Sequence, residues 1–323
     1  MKKLLATGFL ILMLTLITGN TYAQTDNNER PRGGPPGGDP PDADTSKITQ
    51  KWLDISYADK SETQKLDVYL PNEGEGPFPV IVFVHGGGFR SGDKADWQLG
   101  PILPALDKGY AIVSTNYRLS GEALFPAPIN DLKAAVRWIR ANAESHGLNP
   151  EKIAAWGGSA GGHLVSLLGT SGDIRELEDL SLGNPKESSR VQAVVDWFGP
   201  IDFLKLDEQH EKNGLGPGNH NKENSQESAL LGKAITSVPE LVKSANPETY
   251  ITSDDPPFLI QHGTKDALVP VQQSINLAAS LGKVIGEKKV SLILLDGAGH
   301  GDDMFFTQEN IDKVLSFLDK YLK

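Results

Sequence analysis

Hydrophobic and polar positions change rhythm several times along the chain. Lys51 to Tyr57 and Gln64 to Leu70 alternate, as antiparallel strands with one wet face do. Val80 to Val84 after Pro79, and Tyr110 to Ser114, are instead continuous apolar runs, expected of strands buried on both faces. A short helical stretch spans Leu99 to Lys108. Ile129, Leu132, Val136, Ile139 and Ala143 then recur at helical spacing between Pro128 and Gly147. The pattern repeats with strand Ile153 to Trp156 and helix His163 to Leu168. Strand Val191 to Phe198 follows a polar stretch, Leu177 to Arg190, that reads as surface. Strand Phe258 to Gln261, helix Val271 to Ile285, strand Val290 to Leu295 and helix Asn310 to Leu322 complete the chain. This alternation predicts an α/β fold with a mostly parallel sheet and helices on both faces. The polar, Gly- and Asn-rich segment at about 201–250 interrupts it and is expected to form a cap.

Before this domain the texture differs. Lys2 and Lys3 precede an apolar run, Leu4 to Ile17, and Thr21-Tyr22-Ala23 resembles a small-residue cleavage site. The run is short for a membrane span, so residues 1–23 read as a signal peptide and the protein as exported, periplasmic or extracellular, without a stable membrane anchor after cleavage. Residues 24–50 hold a Pro/Gly/Asp cluster that cannot bury apolar surface and read as a disordered tether. The folded domain is therefore expected over 51–323.

Loss of residues 1–23 removes two lysines and no acid, taking the net charge from −11 to −13. That acidity argues against nucleic acid and anionic membranes as partners and says nothing against a neutral ester. The chain has no cysteine, which excludes thiol catalysis and disulfide support.

The candidate chemistry centres on Gly157-Gly158-Ser159-Ala160-Gly161. A serine flanked by glycines two residues away on each side, between a buried strand and a helix, is the pattern of a nucleophile elbow. Chance alone produces it about 0.25 times per chain of this composition, so its setting has to decide. That setting is informative. Val80 to Val84 runs into His85-Gly86-Gly87-Gly88-Phe89, whose bare backbone can approach a substrate oxygen. The N–H groups of Gly87, Gly88 and Ala160 are candidate oxyanion donors. A serine hydroxyl needs a base. Of the seven histidines, His300 alone lies in a flexible glycine loop, Asp296 to Gly301, after the last strand. His85 reads as a structural hydrogen-bonder, His163 and His262 as supporting groups, and His146, His210 and His220 as solvated. The acid that would hold the imidazole is Asp266, after strand Phe258 to Gln261, with Asp196 as its rival. Phe89, Trp156 and Trp197 are candidate pocket walls that would favour a small acyl group.

Taken with Asn116-Tyr117-Arg118-Leu119 and Phe125-Pro126-Ala127, these motifs resemble the α/β-hydrolase carboxylesterases of the hormone-sensitive-lipase type and the bacterial feruloyl and acetyl (acetylxylan-type) esterases, over roughly Lys51 to Lys323. The resemblance implies an α/β-hydrolase fold, no cofactor or metal, and hydrolysis of carboxylic esters by a serine enzyme through an acyl-enzyme. Small-molecule esters and acetylated or feruloylated plant polysaccharide are the candidate substrates. Arg118 itself reads as a buried or half-buried ion-pair partner, with Asp131 as the candidate, and not as a catalyst. A serine exopeptidase on the same fold, or an inactive binding module, is the alternative.

Overall fold

A computed structural model describes residues 41–323; the signal-peptide reading and most of the tether fall outside them. Eight strands form one sheet: β1 (Lys51–Ser56), β2 (Lys65–Tyr69), β3 (Phe78–Val84), β4 (Ala111–Thr115), β5 (Leu148–Gly158), β6 (Ala193–Trp197), β7 (Phe258–Gly263) and β8 (Val290–Leu295). They lie in the order β1-β2-β4-β3-β5-β6-β7-β8. The two alternating N-terminal strands pair antiparallel, and every pair from β3/β4 to β7/β8 is parallel. This is the α/β-hydrolase architecture expected from the sequence.

The continuous apolar runs are buried on both faces because each face has its own core. Val80, Val82 and Val84 of β3 join one core, with α1 (Ala127–Ala141), α2 (Ala160–Thr170) and α6 (Gln272–Ile285). Ile81 and Phe83 of the same strand join the other, with a 3₁₀ helix, Trp97–Lys108, and α7 (Gln308–Leu322). The period-2 geometry of a strand enforces that division. Pro101 and Pro104 lie inside the 3₁₀ stretch before β4 and lack the N–H that an α-helical ladder would need there.

The cap between β6 and β7 holds α3 (Leu206–Lys212), α4 (Gln226–Leu231), α5 (Pro239–Ala245) and short 3₁₀ turns. It is polar outside, yet Phe203, Leu206, Leu230, Leu231, Ile235 and Val242 are buried in the first core. Its position is also fixed by polar ties. Arg90 Nη2, from the glycine-loop side, donates to the carbonyls of Asn224 (2.8 Å) and Ser225 (2.7 Å). His210 and His220 are buried, contrary to the solvated reading, and both donate from Nε2 to the Leu268 carbonyl, at 3.0 and 3.2 Å. The other nitrogen of His220 faces Glu227 Oε1 at 2.9 Å. Burial opposes charge on this ring, but with acceptors on both nitrogens its pKa is raised.

Two further expectations change. The last residues of the tether are packed on the domain: Ala43 N–H donates to the Ala95 carbonyl, Ile48 is buried in the second core, and Thr49 N–H donates to Asn72 Oδ1. The ordered domain therefore begins before residue 51. The stretch 177–190 is only partly surface, because Leu177 and Leu182 are buried and Glu178 pairs with Arg137 at 2.5 Å.

Candidate active site

The elbow owes its shape to its glycines. β5 ends at Gly158 and α2 starts at Ala160, leaving Ser159 to make the whole turn at φ 56° and ψ −121°. A non-glycine residue rarely holds such a conformation unless its surroundings force it. A Cβ on Gly157 would stand 2.6 Å from the Gly161 backbone, and one on Gly161 would stand 2.2 Å from the Val84 carbonyl. Both distances are prohibitive, so the two glycines permit β3, β5 and α2 to meet beneath the serine. Ser159 N–H donates to the Trp197 carbonyl on β6 (2.9 Å), which fixes the turn further.

Three loops at the carboxyl ends of strands then converge. Ser159 Oγ lies 2.9 Å from His300 Nε2, and His300 Nδ1 lies 2.7 Å from Asp266 Oδ2. The other Asp266 oxygen accepts from the N–H groups of Leu268 and Val269, both at 2.8 Å. Burial alone would raise this carboxyl, but hydrogen bonds from His262 and His300 hold it well below the usual carboxylate range. Asp266 is thus ionised wherever the imidazole is useful. Phe198, at φ 43°, sets its ring edge-on to His300 at 4.7 Å between centroids.

Asp196 is elsewhere. It is buried beneath α2, where it accepts from Ser166 Oγ (3.0 Å) and Gly199 N–H (3.0 Å), and burial raises it to about 6. His262 Nε2 donates to the Val269 carbonyl (2.8 Å) and stands 3.2 Å from Asp266, while Nδ1 accepts from Ser274 Oγ (2.6 Å). His85 Nδ1 donates to the Gly86 carbonyl at 2.8 Å, as a structural role requires. His163 is stacked on Phe203 and fully buried, which pushes it down to about 4 and keeps it neutral. Arg118 clasps Asp131 from its backbone N–H and its guanidinium, at 2.7–2.9 Å for the shorter contacts.

The glycine loop faces the serine. Gly86 N–H is held by Gln98 Oε1 (2.8 Å), so the loop's free donors begin at Gly87 and Gly88, which line the cleft with Ser159. Ala160 opens α2, where the first N–H groups have no partner within the helix.

The cleft has a volume of about 640 Å³ and a largely aromatic wall of Trp97, Trp197, Phe198 and Phe306, with Phe83 deeper. Of the three predicted pocket residues only Trp197 is there. Phe89 turns inward against His163 and Phe203. Trp156 is fully buried, because the alternation along β5 sends it into the second core with α7. Trp97, Phe198, Phe306, Gln226 and Leu268 were not signalled by any motif. Among the described residues, no group of three or more His, Asp or Glu side chains is placed to hold a metal ion.

The fold and the three-loop arrangement define an α/β-hydrolase with a serine–histidine–aspartate constellation. The BD-FAE family model matches residues 66–281, and the chain belongs to that family. Two curated relatives come from Mycobacterium tuberculosis. The probable carboxylic ester hydrolase LipM is 33% identical over 72% of this chain and 52% of its own length. Esterase LipC is 31% identical over 77% of this chain and 59% of its own. The chain thus spans little more than half the length of these relatives. Among solved structures, a truncated carbohydrate esterase from gut microbiota superposes with a TM-score of 0.77 and 30% identity, over 87% of this chain and 99% of that one. A bifunctional GH43-CE protein of Bacteroides eggerthii gives 0.76 and 36%, over 84% of this chain and 35% of that one.

Proposed function

We propose that the protein is an exported serine esterase that hydrolyses carboxylic esters through an acyl-enzyme. The observation that carries this reading is the single imidazole of His300 bonded to both Ser159 Oγ and Asp266. In the proposed reaction His300 Nε2 takes the Ser159 proton as Oγ attacks the ester carbonyl. The carbonyl oxygen becomes an oxyanion and is met by the N–H groups of Gly87, Gly88 and Ala160. Asp266 stabilises the imidazolium and keeps Nε2 facing the serine. The imidazolium then returns its proton to the departing alkoxide, leaving Ser159 acylated. Water, deprotonated by the same nitrogen, releases the acid and restores the serine.

The acyl group is proposed to be small, of acetyl type, or a flat feruloyl group. The walls formed by Trp97, Trp197 and Phe306 suit a planar ring better than a long flexible alkyl chain. The similarity to a carbohydrate esterase from gut microbiota supports a polysaccharide-borne ester as the substrate. The apolar run Leu4 to Ile17 behind Lys2 and Lys3 supports export.

The test is labelling of wild type and Ser159→Ala with a fluorophosphonate, followed by hydrolysis of p-nitrophenyl acetate, methyl ferulate and amino-acid p-nitroanilides. Labelling of wild type alone, with turnover of the esters, is expected. Faster turnover of the anilides would make the protein a peptidase, and absence of labelling would make it a binding module.

A further inference from the structure

The cap reaches the acid of the proposed triad through one peptide group. The Leu268 carbonyl accepts from His210 Nε2 at 3.0 Å and from His220 Nε2 at 3.2 Å, both on the cap. The N–H of that same peptide unit belongs to Val269 and donates to Asp266 Oδ1 at 2.8 Å. A donor on the carbonyl oxygen polarises the amide and strengthens the bond its N–H makes. His220 thus stands, through the 268–269 peptide, in line with Asp266, His300 and Ser159. Its ring is buried between two acceptors, since Nδ1 faces Glu227 Oε1 at 2.9 Å. A neutral imidazole carries one N–H and can satisfy one of them; the imidazolium satisfies both.

We propose that His220 is a positioning residue: as an imidazolium anchored by Glu227, it grips the Leu268 carbonyl and holds the peptide that presents Val269 N–H to Asp266. The proposal rests on the ester-hydrolase reading of Ser159, His300 and Asp266. Glu227 is buried on α4, and among the described residues its carboxylate has no bonding partner but His220. The imidazolium is its counter-charge. From α3, Asp207 Oδ1 accepts the His220 backbone N–H at 2.9 Å, and the His210 ring stands 5.3 Å away between centroids. The acid loop presents the Leu268 carbonyl. Arg90 and Lys222 oppose the proton from the walls of a hollow of about 280 Å³ that His220 also lines. Arg90, however, is turned to the carbonyls of Asn224 and Ser225, and Lys222 is exposed to screening solvent. Burial alone would push the ring down, but Glu227, Asp207 and the Leu268 carbonyl together raise it above the ordinary histidine value. Loss of the proton leaves Nδ1–H on Glu227 and turns the Nε2 lone pair toward the Leu268 carbonyl, so that grip becomes repulsion. The imidazolium is present below the raised value, and its hold on the acid loop is lost as pH rises through it.

Two measurements test this. In protein carrying ¹³C-labelled histidine and ¹⁵N-labelled valine, NMR follows the His220 ring and the Val269 amide through a pH titration. Both resonances are expected to move with one midpoint, on the alkaline side of the ordinary histidine value, and the Val269 movement to vanish in His220→Gln. A Val269 amide that stays still through the His220 midpoint overturns the proposal whatever the turnover. The second measurement is kcat and KM for p-nitrophenyl acetate against pH. Through the same midpoint wild type should step down about threefold in kcat to a lower plateau, at nearly constant KM, because His220 acts through Asp266. His220→Gln should show no step, and Glu227→Gln, which removes the anion, should move the step to lower pH. A residue that merely packs would give no step to move. No step in wild type, or a step retained in His220→Gln, overturns the proposal; where a variant does not fold, the wild-type resonances and profile decide. A wild type that hydrolyses no ester fails the ester-hydrolase reading instead, and the Val269 resonance still tests the link to Asp266.

Discussion

His262 Nε2 stands 3.2 Å from Asp266 Oδ2, the same oxygen that faces His300 Nδ1 at 2.7 Å. One carboxylate oxygen thus serves two imidazoles, and His262 also ties the acid's loop through the Val269 carbonyl. His262→Gln should free the loop and let the full Asp266 charge act on His300. The expected result is a fall in kcat of about tenfold with p-nitrophenyl acetate. An unchanged kcat would reduce His262 to a packing residue.

Ser159→Ala should lower kcat by about 10⁵–10⁶, because Ser159 Oγ is the hydroxyl bonded to His300 Nε2. Steady-state turnover of p-nitrophenyl acetate measures it. More than a few per cent of wild-type activity would place the nucleophile elsewhere.

The two buried aspartates should behave oppositely. Asp266→Asn should cost about 10²–10⁴ in kcat by leaving His300 misoriented and its imidazolium unsupported. Asp196→Asn should change kcat little and act on stability. Burial raises Asp196 from 3.8 to about 6, so folding takes up a proton between those values. Its favourable contribution is complete below pH 3.8 and is lost as pH rises through 6. A neutral asparagine avoids that loss. Thermal unfolding of Asp196→Asn should therefore match wild type near pH 4 and exceed it at pH 8, by about 3 kcal/mol at most. A deficit at pH 8 would mean that the ionised carboxylate is needed by Ser166 and Gly199.

Among p-nitrophenyl esters, kcat/KM should be highest at acetate or butyrate and should have fallen by palmitate, with methyl ferulate also hydrolysed. Phe89 and Trp156 cannot impose this, since both are buried away from the cleft. The limit comes instead from the aromatic wall of Trp97, Phe198 and Phe306, which suits a ring better than a long flexible chain. A maximum at octanoate or longer would reject the short-acyl reading.

Strands β3 to β7 were legible because the stretches of them buried on both faces are nearly continuous apolar runs. Ser159, Asp266 and His300 were legible because each sits in a loop just past a strand of the parallel sheet. The cleft walls were not. Whether Trp156 or Trp197 reaches the site depends on how each strand's alternation falls at the sheet edge, which no motif records. Gln226 is set by the short helix α4, too brief to show a period in sequence. His210 and His220 looked solvated because their neighbours are polar; the acceptor that buries them, the Leu268 carbonyl, lies 48 or more residues away.

The ties of Arg90 to residues 224 and 225, and of His210 and His220 to Leu268, bear on how the proposed esterase could be re-engineered. The cap is clamped at one end to the glycine loop and at the other to the loop that carries the acid. Exchanging the segment between β6 and β7 for another sequence would unfasten both clamps at once. A chimera made to alter selectivity would then lose turnover as well, unless the graft brings its own partners for the Arg90 guanidinium and the Leu268 carbonyl.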